Sequence, residues 1–193
     1  LSLMPNLFNM QIELVMPVSS TRERVLAMKA FGAKVTSLET MEGCRDYAQQ
    51  KADSGDYYML NQFANEDNSL AHYKTTGPEI WRETNQGITH FVSAMGTTGT
   101  IMGCSAFFKE KNPAIQIIGC QPTEESSIPG IRRWPKEYVP TIFHPEKVDR
   151  IIDISKEEAV EATRLLAKKE GIFAGESTGG AASAALRLSR EIK

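Results

Sequence analysis

Thr89-His90-Phe91-Val92-Ser93-Ala94-Met95-Gly96-Thr97-Thr98-Gly99-Thr100-Ile101-Met102-Gly103 is the stretch on which the fold turns. It reads as a strand, a Gly/Thr-rich turn and the start of a helix. Phe91 and Val92 favour extended backbone, and the short apolar run suits a buried parallel strand. Gly96 and Gly99 let the backbone approach an anion closely. Free N–H groups at the start of the next helix point at such an anion, and the helix dipole favours negative charge there. The hydroxyls of Thr97, Thr98 and Thr100 add hydrogen bonds. Gly96–Thr100 is therefore a candidate phosphate cup on the carboxyl edge of a parallel sheet, the common ligand position in open α/β folds. A Walker loop is excluded, because no lysine follows Gly99 or Gly103. The spacing Gly96-x-x-Gly99-x-x-x-Gly103 also fits a dinucleotide fingerprint poorly. An ordinary tight strand-to-helix turn fits the same pattern.

Outward from the cup, the chain alternates. Upstream, Ile12–Met16, Val35–Leu38 and Tyr57–Leu60 read as strands. Helices are expected from Ser20 or Thr21 to Gly32 and over Cys44–Ala52, giving β-α-β-α-β with right-handed crossovers. Residues 1–10 are weakly helical at most, because Pro5 interrupts them. Asn61–Asn68 reads as a polar loop, followed by one helix over His72–Thr84. Downstream, Ile115–Gly119 and Asp149–Ile154 are strands. They flank a long Pro-rich segment, 121–147, whose length marks it as functional. Ser155 and Glu158 form a capping box for a helix that Gly171 closes. Ile172 and Phe173 start a last strand. Gly175-Glu176-Ser177-Thr178-Gly179-Gly180 is then a second glycine-rich turn opening an alanine-rich helix. If both strands lie in one sheet, both turns open on the same edge and can serve one ligand.

The chain has 193 residues, 41% of them hydrophobic and 24% charged, with a formal net charge of −2. This is the balance of an ordinary globular protein, and without a basic block it argues against a nucleic-acid partner. No apolar run approaches the ~18 residues that span a bilayer. Cys44, Cys104 and Cys120 form no CxxC and no disulfide framework, which points to a reducing compartment, the cytoplasm, and to small buried residues. His72, His90 and His144 are scattered, and no metal site is expected from them.

Three motifs then come into view together. They are Thr75-Thr76-Gly77-Pro78-Glu79-Ile80-Trp81, Gly96-Thr97-Thr98-Gly99-Thr100 and Gly175-Glu176-Ser177-Thr178-Gly179-Gly180. Together they resemble the cysteine synthases, pyridoxal 5′-phosphate (PLP) enzymes of the tryptophan synthase β-like fold (fold type II). The loop Ser127-Ile128-Pro129-Gly130-Ile131-Arg132-Arg133-Trp134-Pro135 is similar to the B type, the O-acetylserine sulfhydrylases that use thiosulfate. The resemblance implies an α/β fold of open parallel sheets with flanking helices. It also implies a remnant of the smaller mobile subdomain over residues 1–62 and the larger PLP-phosphate-binding subdomain over 63–193.

The resemblance assigns the PLP phosphate to Gly96, Thr97, Thr98, Gly99 and Thr100, and the pyridine nitrogen to Ser177. It places Gln62 near the substrate carboxylate, and Gly130, Arg132 and Arg133 in a mobile substrate loop. The implied reaction is β-replacement of the acetoxy group of O-acetyl-L-serine by sulfide or thiosulfate, in a homodimer. A hydroxyl at the pyridine nitrogen makes the ring a weaker electron sink than a carboxylate would, which favours loss of a β leaving group. Glu176 departs from the small or apolar residue of the family and puts a carboxylate beside the pyridine edge.

The family's Schiff-base lysine stands in a P-x-x-S-x-K-x-R context, and its substrate loop reads T-S-G-N-T-G; neither occurs in this sequence. The resemblance thus implies an incomplete chain, lacking its C-terminal end as well, without a catalytic residue of its own and inactive alone. A second reading, from a different class, is a non-catalytic module that binds PLP or another phosphate, or pairs with a complete subunit. Cystathionine β-synthase and serine/threonine dehydratase share the fold, but the Ile128–Trp134 loop argues against both.

Overall fold

The structure, a computed structural model, describes residues 8–192. Most of the weak helix expected over 1–10 lies outside them. The chain divides into two compact units at Leu60/Asn61.

The first unit is a β-α-β-α arrangement. β1 (Glu13–Pro17) and β2 (Lys34–Leu38) pair in parallel, with Glu13 opposite Lys34 and Pro17 opposite Leu38. α1 (Arg22–Ala30) connects them. Thr21 precedes that helix with extended backbone but gives it no side-chain cap. α2 (Met41–Asp53) follows β2, and Thr40 caps it by accepting the Gly43 N–H at 3.0 Å.

Tyr57–Leu60 is not a strand. Its aromatic and apolar residues have strand propensity, but a strand also needs a ladder partner, and the sheet of this unit holds only β1 and β2 among the described residues. Tyr58 is left 88% exposed.

A carboxylate locks β1 to its neighbours. Glu13 accepts the Thr36 hydroxyl at 2.6 Å, the Lys34 ammonium at 3.0 Å and the Tyr47 hydroxyl at 3.3 Å. The Thr36 hydroxyl foremost, then the Lys34 ammonium and the Tyr57 hydroxyl, pull its pKa from the ordinary 4.5 down to about 2 against the opposing cost of burial. The depressed carboxylate contributes stability that is fully present above the unfolded-state pKa near 4.5 and is lost as pH falls toward 2. Glu13→Gln is expected to destabilise this unit by ~1–3 kcal/mol at neutral pH and to flatten its acid-unfolding profile between pH ~4.5 and ~2. Urea titrations across that pH range check this, and an unchanged acid profile would contradict it.

The second unit is built on three parallel strands in the order β3 (His90–Ala94), β4 (Gln116–Pro122), β5 (Arg150–Ile154). Ser93 lies opposite Gly119, and Gly119 opposite Ile151. α3 (Asp67–Lys74) and α4 (Thr76–Glu83) precede β3, and α5 (Gly99–Lys111) joins β3 to β4. α6 (Lys156–Glu170) and α7 (Glu176–Ser189) follow β5.

Two cores result. Ile101, Cys104, Phe108, Ile115 and Ile117 fill one, with α5 at its centre. Ile118, Cys120, Ile128, Ile131, Ile152, Ile154, Ala184 and Leu188 fill the other. Cys44, Cys104 and Cys120 are buried and form no disulfide among the described residues. Burial pushes the Cys104 and Cys120 thiols up to about 12. The capping box forms as expected, with Ser155 accepting from the Glu158 N–H and Glu158 from the Ser155 N–H.

Two local expectations are corrected here. The single helix over His72–Thr84 is two helices that break at Thr75, and α3 begins earlier, at Asp67. α3 buries no residue. Without an apolar face it carries no period to read, and its place comes from packing on α5. Ile172–Phe173 is also not a strand. The sheet gives it no ladder, and Phe173 is 98% exposed. No helix among the described residues is long and apolar enough to cross a membrane.

Candidate cofactor and substrate site

The strand-turn-helix unit forms as the sequence demands. β3 ends at Ala94, and Met95 is tied to the sheet by its N–H to the Cys120 carbonyl at 2.8 Å. α5 starts at Gly99. The backbone N–H groups of Thr97, Thr98, Gly99, Thr100 and Ile101 find no protein acceptor among the described residues. They form a row of free donors at a helix N-terminus.

Thr98 takes φ +70° although it is β-branched, an unfavourable conformation for such a side chain. The residue is 3% exposed, and its Oγ1 is buried without a partner among the described residues. Strain and an orphaned buried hydroxyl in one residue mark a position held for a ligand rather than for stability.

The cup has a second layer that sequence reasoning missed. The Asn68 amide donates to the Gln62 carbonyl at 2.7 Å and to Thr97 Oγ1 at 3.0 Å. His72 Nε2 lies 3.2 Å from Thr100 Oγ1, and its Nδ1 lies 2.9 Å from Thr76 Oγ1. Burial lowers the His72 pKa, so the ring is held neutral and can orient the Thr100 hydroxyl. Neither residue carried a signal. Asn68 sat in an aperiodic polar stretch, and His72 stood alone.

The loop of 127–135 closes onto the cup. The Arg132 N–H donates to the Met95 carbonyl at 2.8 Å, and the Trp134 indole N–H donates to the Gly96 carbonyl at 2.8 Å. Gly130 adopts φ +92°. A Cβ built there would stand 3.1 Å from both Cβ and Oγ of Ser177. On Gly96 it would stand 3.0 Å from the Gly130 carbonyl oxygen. The two glycine-rich turns thus meet through Gly130, although no strand leads into the second.

Ser177 lies in the first turn of α7 but does not cap it, since Gly175 is the N-cap. Its hydroxyl has no partner among the described residues. Glu176 beside it has a buried Oε2 without a partner among the described residues.

The other candidates are distributed as follows. Gln62 is exposed, and only its carbonyl is tied to the cup, through Asn68. The Arg132 side chain is half-buried and has no hydrogen-bond or ion-pair partner among the described residues. Arg133 is engaged with the Pro122 carbonyl and the Asp153 carboxylate. Among the described residues no group of three or more His, Cys, Asp or Glu could hold a metal ion.

A parallel α/β sheet with a donor-lined cup at its carboxyl edge is an arrangement suited to an anionic group of a ligand. The pyridoxal-phosphate dependent enzyme family model matches residues 1–193, and the chain belongs to that family. It is 56% identical over 183 residues to cysteine synthase B of Pseudomonas aeruginosa, a match covering 93% of this chain and 61% of that relative. To cysteine synthase B of Escherichia coli it is 51% identical, covering 93% and 60%. The crystal structure of the cysteine synthase (OASS) of Entamoeba histolytica superposes with a TM-score of 0.84 at 34% identity, covering 96% of this chain and 58% of that one. The chain therefore spans about three fifths of the length of the curated relatives it matches.

The residues present fit PLP. The free N–H row and the orphaned Thr98 hydroxyl are donors suited to a dianionic phosphate, and the turn itself contains no carboxylate.

Proposed function

We propose that this chain is the cofactor-holding part of a B-type cysteine synthase. Such an enzyme replaces the acetoxy group of O-acetyl-L-serine by sulfide or thiosulfate, giving L-cysteine or S-sulfocysteine. The observation that carries the reading is the meeting of the 96–100 turn, the 127–135 loop and Ser177 around Gly130. That loop distinguishes the B type, and here it touches both cofactor turns.

Gly96, Thr97, Thr98, Gly99 and Thr100 hold the phosphate of PLP, and Ser177 faces its pyridine nitrogen. Bound there, PLP supplies the electron sink for removing the α-proton and expelling the β-substituent. Asn68 and His72 keep the Thr97 and Thr100 hydroxyls oriented. Gln62 serves the substrate carboxylate and Arg132 an anionic nucleophile, while Gly130 lets the loop lie against Ser177. The reading carries a homodimer and a reducing, cytoplasmic setting, the latter in keeping with three buried cysteines that form no disulfide among the described residues.

Lysine is the residue type that attaches PLP covalently, and no described lysine side chain is hydrogen-bonded to a cup residue. Purified as these 193 residues, the chain is expected to bind PLP reversibly, to gain no mass on borohydride reduction, and to form no cysteine above a free-PLP control. The full-length protein is expected to form cysteine from O-acetyl-L-serine with either nucleophile. A specific adduct on one lysine of the 193-residue chain would overturn the first expectation. A full-length protein inactive with both nucleophiles would overturn the functional reading.

A further inference from the structure

Arg132 and Arg133 are adjacent, equally charged and in the loop that meets the cup, yet the structure treats them differently. The Arg132 side chain has no hydrogen-bond or ion-pair partner among the described residues, and its backbone N–H is fixed to the Met95 carbonyl at 2.8 Å. Arg133 is held at two points by its fork. Its Nε donates to the Pro122 carbonyl at 2.9 Å, and its Nη2 pairs with Asp153 Oδ2. Asp153 is itself held, because its Oδ1 accepts the Gln121 amide at 2.9 Å and its carbonyl accepts from Arg187 at 3.0 Å. Gln121 and Asp153 are register partners on β4 and β5. The far end of the loop is thus fastened to the carboxyl edge of the sheet, while Ile128 and Ile131 are buried in the core beneath.

From this we infer that Asp153 is a positioning residue. Through Arg133 it holds Gly130–Arg132 against Ser177 and the 96–100 turn, and Arg132 alone is the cation that meets an anionic nucleophile. The inference rests on the cysteine synthase reading for its substrates.

The pair is part-exposed, with side-chain exposures of 32% for Arg133 and 49% for Asp153. Such pairs add little to global stability. Variants that break it are therefore expected to fold, and their effect is local. The fork also matters more than the charge, since a lysine cannot reach a carbonyl and a carboxylate with two fixed donors. Arg133→Lys therefore separates the two roles. It keeps the cation that direct binding of a nucleophile requires and loses the clamp.

The test uses the full-length holoenzyme with Asp153→Asn, Arg133→Lys, their double variant and Arg132→Gln. Two readouts are taken, amide hydrogen exchange at Ile131 and Arg132, and kcat and KM with sulfide and with thiosulfate. Asp153→Asn and Arg133→Lys are expected to speed exchange at both amides by about tenfold. Both should lower kcat about fivefold with sulfide and thiosulfate alike, and the double variant should be no worse than either single one, as for two halves of one contact. Arg132→Gln should raise KM for thiosulfate about tenfold and leave the exchange rates unchanged. Unchanged exchange in Asp153→Asn and Arg133→Lys overturns the inference. So does an effect of Arg133→Lys confined to the thiosulfate KM with Asp153→Asn silent. If the unsubstituted holoenzyme turns over neither nucleophile, the functional reading fails, and the exchange comparison still decides whether the clamp exists.

Discussion

Gly103→Ala is expected to lower the melting temperature by roughly 10 °C and to weaken PLP binding at least a hundredfold. Gly103 lies where α5 crosses α3. A Cβ built there would stand 2.1 Å from the Ser69 carbonyl oxygen, 2.8 Å from the Tyr73 nitrogen and 2.8 Å from the His72 Cβ. Two of these atoms are helix backbone, so no rotamer change relieves the clash, and α3 must move away. Overpacking of this kind costs about 3 kcal/mol. The functional loss follows from what α3 carries. Asn68 ties Thr97 to Gln62, and His72 ties Thr100 to Thr76. Moving α3 takes away the orientation of two cup hydroxyls at once. Calorimetry and a PLP titration followed by absorbance check both halves. A variant that melts and binds PLP like the parent would show that α3 does not support the cup.

Gly130→Ala is expected to reduce cysteine formation by the full-length enzyme at least tenfold while lowering stability by only about 1–2 kcal/mol. At φ +92° an alanine is strained, and its methyl would stand 3.1 Å from the Ser177 Cβ and Oγ. The loop tip or Ser177 must then give way, and either shift disturbs the proposed pyridine contact. Gly171→Ala supplies the comparison. Gly171 also has positive φ, +68°, at the end of α6, but nothing lies within 4 Å of its Cβ direction. That variant should lose about 1 kcal/mol of stability and keep its activity. Equal activity in the two variants would show that the Gly130–Ser177 approach plays no part in the reaction.

Much of this protein was legible in its sequence because the signals were local. Short apolar runs bounded by Gly and Pro marked the five strands among the described residues, and β4, buried along most of its length, reads as an unbroken apolar run without alternation. Ser155 and Glu158 announced their helix start, and the Gly/Thr turn announced its cup, because capping and anion binding use residues within one turn of each other. The PLP family membership was likewise written in contiguous motifs.

Tertiary structure decided what depends on distant partners. Tyr57–Leu60 and Ile172–Phe173 have strand propensity but no ladder, so neither pairs. α3 has no fully buried residue, and its half-buried face of Asn68, Ser69, His72 and Tyr73 is set by contact with α5. Asn68 and His72 became part of the cup only when α3 packed against Gly103. Arg132 and Arg133 read alike along the chain, and only the placement of Asp153 on β5 and of Pro122 on β4 made one an anchor and left the other free. Propensity, capping and turn chemistry act over a few residues and can be read in order. Pairing, close approach and charge compensation act between residues far apart in the chain, and only the folded molecule brings them together.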